Sequence, residues 1–401
     1  MKKTVCVFGL GYIGLPTAAL LAQNNYRVLG VDIKEEVVNT INRGEIHIVE
    51  PGLEYVVKET VSSGMLRASL VPENADVFII AVPTPLKEDY VPNIDYVLSA
   101  SRSIAHVVKA GDLIIIESTS PVGTTDSVAK LLKATGVDLS GVSLAYCPER
   151  VLPGQVIKEF VENDRVIGGI DARSSSEAAE FYRTFVSGEI IISDSRTAEM
   201  VKLTENSFRD VNIAFANELS MICDKVGVDV WKLISLSNHH PRVNILKPAT
   251  GVGGHCIAVD PWFLAHAGGD DAKMVRSARE VNDSKPLWVV TRIQREINLY
   301  KEQTGREPII ACLGLSFKPD IDDMRGSPAL EVFNKLVLNG LAPLAVEPNL
   351  KSHFSISLLD HEEAVKLADI VIVLVSHKEF RGLHAKHPRV LDFCGSQQES
   401  V

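Results

Sequence analysis

The sequence predicts an α/β protein in which two doubly wound lobes are joined by a central helical domain containing one long helix. Three observations carry this reading. Short β-type runs at residues 4 to 8 (TVCVF), 28 to 32 (VLGVD), 77 to 82 (VFIIAV) and 113 to 116 (LIII) alternate with helix-length segments, the pattern of a parallel sheet. A stretch without proline runs from Arg196 to Val226 and is closed by Gly227, as expected of one long helix. Beyond Pro308 the β-type runs resume as IIACLGL and DIVIVLV, with helical segments between them.

In chain order, further strands are expected at 143 to 146 and 165 to 168, then the long helix. A loop rich in Gly and Pro at 241 to 262 leads to a second long helical pattern at about 272 to 300. These breaks divide the chain into domains at 1–194, 195–300 and 301–401. A chain of 401 residues is long enough for each to bury its own core.

Apolar residues make up 46% and charged residues 23%, and no apolar run approaches the roughly 18 residues of a membrane span. The opening MKKTVCVFGLGYIG is too short and glycine-broken for a signal peptide, so a cytoplasmic protein is expected, with no membrane partner. Net charge is −10 without a block of Lys and Arg, which argues against nucleic acid as a partner. The six cysteines, Cys6, Cys147, Cys223, Cys256, Cys312 and Cys394, lie far apart, without zinc-site pairing or disulfide-scaffold density.

Gly9, Gly11 and Gly14, with Tyr12 and Ile13 between them, form G-L-G-Y-I-G between the first strand and a helical segment. The first glycine permits a tight turn, the second lets backbone approach a pyrophosphate, and the third allows close helix packing. Asp32 ends the next strand, where its carboxylate would accept hydrogen bonds from an adenosine ribose and repel a 2′-phosphate. NAD is the expected cofactor. Later strands end in V-P-T-P, with Thr84, and E-S-T-S-P-V-G, with Thr119 and Thr125 close behind, at carboxyl ends where such sheets bind ligands. These threonines are candidates to hold cofactor or water, or to cap helices.

Lys202, Asn206 and Arg209 fall at i, i+4 and i+7 of the long helix and so share one face. The segment around them is apolar enough to be largely buried, and a buried lysine needs a partner or a task. In G-V-G-G-H-C-I-A-V-D-P, from Gly251 to Pro261, small residues let a substrate approach Cys256, and Asp260 follows four residues later. A cationic neighbour would favour the reactive thiolate, and exposed backbone N–H groups would stabilise an oxyanion.

The motifs G-L-G-Y-I-G-L-P, V-P-T-P, E-S-T-S-P-V-G, Y-C-P-E-R-V-L-P-G, E-M-V-K-L-T-E-N, G-V-G-G-H-C-I-A-V-D-P-W-F and G-L-S-F-K-P-D-I-D-D-M-R stand in the order of the UDP-glucose/GDP-mannose dehydrogenase family, which the chain resembles over nearly its whole length. The stretches INRGEIHIVEP, HPRVNIL and GGHCIAVDPWF look most like its bacterial members that act on UDP-N-acetyl-D-mannosamine. The resemblance implies an N-terminal NAD-binding domain, a central helical domain for dimerisation and catalysis, and a Rossmann-like C-terminal domain for UDP. It implies Cys256 as nucleophile, Lys202 as acid/base or charge stabiliser, and Asn206 and Asp260 as organisers of water and oxyanion. Glu149 and Thr119 match positions that place or activate water. Arg150, Val151, Arg209, His240, Arg242, Gly253, Phe317 and Lys318 match positions around the nucleotide sugar, and Arg325 an NAD contact. The implied reaction is a four-electron oxidation of the C6 alcohol of a UDP-N-acetylhexosamine through a cysteine-bound thiohemiacetal and thioester, supplying bacterial surface polysaccharide. The implied assembly is a homodimer or higher homo-oligomer through the long helix.

The chain departs from the family pattern at Pro153, where glucose-specific relatives carry an acidic residue. It departs again at Pro248, Ala249, Thr250 and Gly251, where related mannosamine enzymes often have P-G-P-G. Adjacent His239 and His240 cannot easily ligate one ion together, so no metal is expected. Other readings are an N-acetylglucosamine epimer as substrate, a two-electron β-hydroxyacid dehydrogenase, and a non-catalytic NAD sensor. The last two give Cys256 no role.

Overall fold

The computed structural model describes residues 3–396 except 49, 152, 153, 351, 354 and 384–386, so Pro153 lies outside the described residues. It divides into two compact units, Met1–Glu205 and Asn206–Val401. In the first, the strands β1 (Thr4–Phe8), β2 (Arg27–Val31), β3 (Leu66–Ser69), β4 (Val77–Ile80), β5 (Leu113–Ile116), β6 (Ser143–Tyr146), β7 (Arg165–Gly169) and β8 (Ile190–Asp194) form one sheet ordered β3-β2-β1-β4-β5-β6-β7-β8. Successive side chains point to opposite faces of a strand. Val5, Val7, Ile79 and Ile115 therefore enter one apolar layer, and Cys6, Phe8, Phe78, Ile80, Ile114 and Ile116 the other. Burial on both faces is why the strands read as unbroken apolar runs rather than alternating ones.

The helices of this unit are α1 (Gly14–Gln23), α2 (Glu35–Asn42), α3 (Leu53–Ser62), α4 (Asp95–Ile104), α5 (Thr124–Ala134), α6 (Val156–Glu162) and α7 (Ala172–Tyr182). The helix α8 (Ser195–Val226) begins here and continues into the second unit. Strand order reverses between β1 and β4, which opens a crevice at their carboxyl ends. One expectation needs correction: β7 runs antiparallel to β6, pairing Tyr146 with Gly168. A parallel strand would require a crossover back over one face of the sheet. Here the antiparallel pairing means that β7 starts at the end of the sheet where β6 finishes, and Glu149 and Arg150 follow β6 at that end.

The second unit contains α9 (Val230–Ser237), α10 (Asp260–Gly268), α11 (Lys273–Thr304), β9 (Ile310–Leu313), α12 (Pro328–Leu338), β10 (Leu344–Val346), α13 (His361–Leu367), β11 (Ile370–Val373) and β12 (Val390–Asp392). Its four strands are parallel, in the order β10-β9-β11-β12. A buried polar seam joins α8 to α11: Arg279 donates to Asp210 at 2.6 Å, and Asn282 bonds both Asp210 and Asn217. Asn217 also accepts from the Ala249 N–H at 2.8 Å, and Thr250 donates to the Leu374 carbonyl at 2.6 Å. These two bonds anchor the start of the cysteine loop.

The expected burial of α8 is incomplete. Phe208, Phe215 and Ile222, seven residues apart, are 71%, 55% and 50% exposed in the single chain. A second difference concerns the stretch read as a loop to residue 262: α10 starts at Asp260, with Pro261 in its first turn, where the missing N–H is not needed.

Candidate active site

The glycines of the first turn answer to different demands. Gly9 has φ +83°, and a Cβ there would lie 2.6 Å from the Ala81 carbonyl oxygen; at Gly14 it would lie 1.8 Å from that of Gly9. Both are required by packing. A Cβ at Gly11 would meet nothing within 4 Å, so the protein itself does not demand glycine there. The open space fits a pyrophosphate lying against the start of α1. Asp32 is half-buried and is oriented by the N–H groups of Leu10 (3.0 Å) and Lys34 (2.9 Å). Each carboxylate oxygen keeps acceptor capacity for a ribose hydroxyl. Tyr12 is exposed and Ile13 half-buried beside the turn. The residues present therefore fit NAD.

The three threonines separate. Thr84 donates to the Thr119 carbonyl at 2.6 Å, linking the ends of β4 and β5, and Thr119 is half-buried at the carboxyl edge. Thr125 is fully buried, and its hydroxyl and N–H both bind Glu199 of α8, which also accepts from Gly123 N–H. The side chain of Glu199 thus caps α5, and the Thr125 hydroxyl serves that cap.

At the same edge Glu149 is buried, accepting from Arg150 N–H at 2.6 Å and from the fully buried Arg165 guanidinium at 2.8 Å. Arg150 itself pairs with Glu205 at 2.6 Å, and Val151 packs half-buried beside it. Lys202 is half-buried, and its ammonium has no carboxylate partner among the described residues.

In the second unit Asn206 donates to Asp260 at 2.5 Å, tying α8 to the N-terminus of α10. The Cys256 carbonyl accepts from Val259 and Asp260 N–H at 3.0 and 2.8 Å, folding the loop back at the cysteine. Cys256 is exposed, whereas the other five cysteines are buried or half-buried. Burial pushes the thiols of Cys6, Cys147 and Cys312 up to about 12, which leaves them as inert packing groups. A Cβ at Gly254 would lie 2.9 Å from the Phe317 ring, and one at Gly253 2.6 Å from the Gly326 carbonyl oxygen. The cysteine loop thus rests on the loop after β9. On that second loop Lys318 is exposed, and Arg325 forms a two-pronged pair with Asp323 at 2.9 and 2.7 Å. Asp323 also stands 4.0 Å from His255, the residue before Cys256. Arg209, His240 and Arg242 are exposed, the last donating its N–H to the His240 ring at 3.3 Å.

Several residues escaped the sequence reading. Glu117 opens E-S-T-S-P-V-G at the end of β5 and is fully enclosed; Arg165 and Tyr182 join it there. Asp320, His377 and Glu379 bring three potential ligand atoms within 4.8 Å of one another. However, His377 Nδ1 accepts from Asp320 N–H at 2.9 Å, which leaves the proton on Nε2, 3.1 Å from Glu347. Both ring nitrogens are engaged, and no metal is assigned.

The chain that carries this dinucleotide crevice and exposed cysteine is similar to known proteins along nearly its whole length. Residues 3–186, 196–284 and 311–396 match the NAD binding, central and UDP binding domains of the UDP-glucose/GDP-mannose dehydrogenase family. The chain belongs to that family. It is 54% identical to a UDP-N-acetyl-D-mannosamine dehydrogenase of Campylobacter jejuni, over 97% of this chain and 98% of that one. It is 53% identical to an NDP-N-acetyl-D-galactosaminuronic acid dehydrogenase of Ralstonia nicotianae, over 95% and 92%. The solved UDP-N-acetyl-mannosamine dehydrogenase of Staphylococcus aureus superposes with a TM-score of 0.88 at 41% identity, covering 99% and 96% of the two chains. The fold class expected from the sequence is that of these structures.

Proposed function

We propose that this family member oxidises the C6 alcohol of UDP-N-acetyl-D-mannosamine to the carboxylate, with Cys256 as covalent nucleophile. The observation that carries the proposal is the exposure of Cys256, alone among the cysteines of the described residues, on a loop whose glycines pack closely against Phe317, Gly326 and Pro328 and so hold the thiol at the surface. The 54% identity to a dehydrogenase named for that sugar supports the substrate. NAD, when bound, accepts a hydride at each of two oxidations. In the first, Lys202 holds or relays the alcohol proton as the aldehyde forms. The Cys256 thiolate then adds to the aldehyde carbon to give a thiohemiacetal, whose oxyanion the Asn206 amide stabilises, with Asp260 orienting that amide. Loss of the second hydride gives a thioester. Water placed by Thr119 and Glu149 attacks it, releasing the carboxylate and restoring the thiol.

In this reading residues 1–194 hold NAD, 195–300 carry catalysis and dimerisation, and 301–401 hold UDP. Arg150, Val151, Arg209, His240, Arg242, Gly253, Phe317 and Lys318 contact the nucleotide sugar, and Arg325 contacts NAD. The exposed stripe of Phe208, Phe215 and Ile222 is the face that a second copy covers in a homodimer. A monomer by light scattering at micromolar concentration would contradict that assembly. No helix of the described residues is long and apolar enough to cross a membrane. In this reading the enzyme works in the cytoplasm on surface polysaccharide precursors.

The test is a panel of UDP-N-acetylhexosamines with NADH as readout. The manno epimer should be oxidised with the highest kcat/KM. The 53% identity to a galactosaminuronic acid dehydrogenase makes the galacto epimer the principal competitor, and its preference would replace the sugar while leaving the chemistry.

A further inference from the structure

Glu149 does not stand alone at the carboxyl edge of the first sheet. Its Oε2 is bound by Arg165, whose guanidinium lies 4.4 Å from the Phe160 ring centroid and 5.5 Å from that of Tyr182. The Tyr182 hydroxyl donates to Glu117 Oε1 at 2.6 Å, and Thr17 donates to Glu117 Oε2 at 3.3 Å. Thr17, Glu117, Cys147, Glu149, Arg165 and Tyr182 are all buried. The cluster thus holds two carboxylates and one guanidinium, with α1, β5, β6, β7 and α7 around it. With both acids ionised it would carry an uncompensated negative charge in an apolar interior, which drives one proton onto the pair.

The partners decide which acid takes that proton. Glu149 has a direct ion pair and a backbone N–H at 2.6 Å, and both favour the carboxylate. Among the described residues the side-chain partners of Glu117 are the hydroxyls of Thr17 and Tyr182, which can accept as well as donate and so tolerate a protonated acid. Burial, and then the charge of Glu149, push Glu117 up to about 7, against the pull of Arg165. The Arg165 Nε–H has no partner among the described residues, so the guanidinium is not saturated by Glu149.

We propose that Glu117 is a positioning residue for the water-activating Glu149, the two carboxylates sharing one proton across Arg165 with Glu117 as its holder. With Glu117 protonated the cluster is neutral, and Arg165 stays committed to Glu149. When Glu117 loses its proton, its charge opposes that of Glu149 and competes for Arg165. Arg165 is then drawn from Glu149, whose carboxylate is freed toward the water, and thioester hydrolysis accelerates through neutral pH. This inference rests on the role assigned to Glu149 above.

The test combines infrared titration of the full-length enzyme with single-turnover hydrolysis of the acyl-enzyme from UDP-N-acetyl-D-mannosamine. Wild type should show a buried carboxylic-acid carbonyl band at pH 6 that disappears toward pH 8, and Glu117→Gln should lack it. Glu117→Gln should hydrolyse as wild type does at pH 6 but roughly fivefold more slowly at pH 8, without the inflection. Tyr182→Phe, which removes one donor to the carboxylate, should move band and inflection to higher pH should the glutamine variant fail to fold. Absence of the band, its survival in Glu117→Gln, or an unchanged hydrolysis profile in that variant would overturn the proposal. The reading of Glu149 fails separately, if Glu149→Gln hydrolyses the acyl-enzyme at the wild-type rate while the band of the wild-type enzyme titrates as expected.

Discussion

The first turns of the two lobes share one backbone plan and differ in what their acid does. After β1, Gly9 at φ +83° donates its N–H to the Val31 carbonyl at 2.8 Å, and Leu10 N–H donates to Asp32 at 3.0 Å. After β9, Gly314 at φ +85° donates to the Val346 carbonyl at 2.9 Å, and Leu315 N–H donates to Glu347 at 2.8 Å. In both lobes the acid directly follows the second strand of the pair. Asp32 is half-buried and accepts from two backbone N–H groups, which leaves its outer face for a ligand. Glu347 is buried and accepts from Leu315, Ser316, Asn349 and His377, a set that closes the turn from within. One turn stays open toward a cofactor. The other is closed by its own hydrogen bonds, and the Phe317 that follows it packs against the glycines beside Cys256.

If the closed turn supports Cys256 in its proposed role, the largest effect short of removing Cys256 should come from disturbing that contact. Gly254 sits at φ +86° against Phe317, so Gly254→Ala must strain the backbone and displace the ring. A shift of about 1 Å in the cysteine should lower kcat roughly 100-fold, with NAD affinity by calorimetry unchanged. A kcat within threefold of wild type would break the link between turn and nucleophile.

The next effect is on stability. Glu347→Ala leaves the Leu315 and Ser316 N–H groups and His377 Nε2–H buried without their acceptor, at a cost of about 3 kcal/mol or more. Thermal unfolding should detect it as a drop of several degrees, and Asp32→Ala should show little change. Burial alone would raise the Glu347 carboxyl, but the His377 bond and the two N–H groups hold it below its ordinary value. Its contribution is therefore full above the unfolded carboxyl value, roughly 4.3, and is lost as pH falls through the lower folded value. The gap in stability between wild type and Glu347→Gln should persist at pH 5 and narrow toward pH 3. A gap independent of pH would mean that the carboxylate charge is not what closes the turn.

The smallest effect is the most selective. With the Asp32 charge removed, Asp32→Ala should narrow the preference for NAD over NADP by about tenfold in kcat/KM, since a 2′-phosphate would no longer meet a carboxylate. Near-equal use of both cofactors by wild type would show that the open acid does not select between them.

Most of the first turn could be read from the sequence because its parts are local. Gly9, Gly11, Gly14 and Asp32 lie within one strand–helix–strand unit, and the strands at 4 to 8, 113 to 116 and 143 to 146 have the bounds expected from their apolar runs. The long helix starts one residue earlier than its proline-free stretch, at Ser195. The closed turn was opaque for the opposite reason. Glu347 and His377 are 30 residues apart, and Glu117 and Tyr182 are 65 apart, in segments with no shared motif. The reversal of β7 was hidden as well, because Arg165–Gly169 is equally apolar whichever way it runs. Cys256 was singled out by the glycines around it, but its support by Phe317 depends on a contact across the fold that no local pattern announces.

The central claim is that Cys256 makes one site perform two oxidations, and counting NADH per sugar tests it most directly. With limiting UDP-N-acetyl-D-mannosamine and excess NAD, the wild-type enzyme should form two NADH per sugar and release the uronate. Cys256→Ala should lose turnover by several orders of magnitude while still binding NAD and UDP-sugar. One NADH per sugar in wild type, or two at an undiminished rate in Cys256→Ala, would contradict the covalent four-electron mechanism.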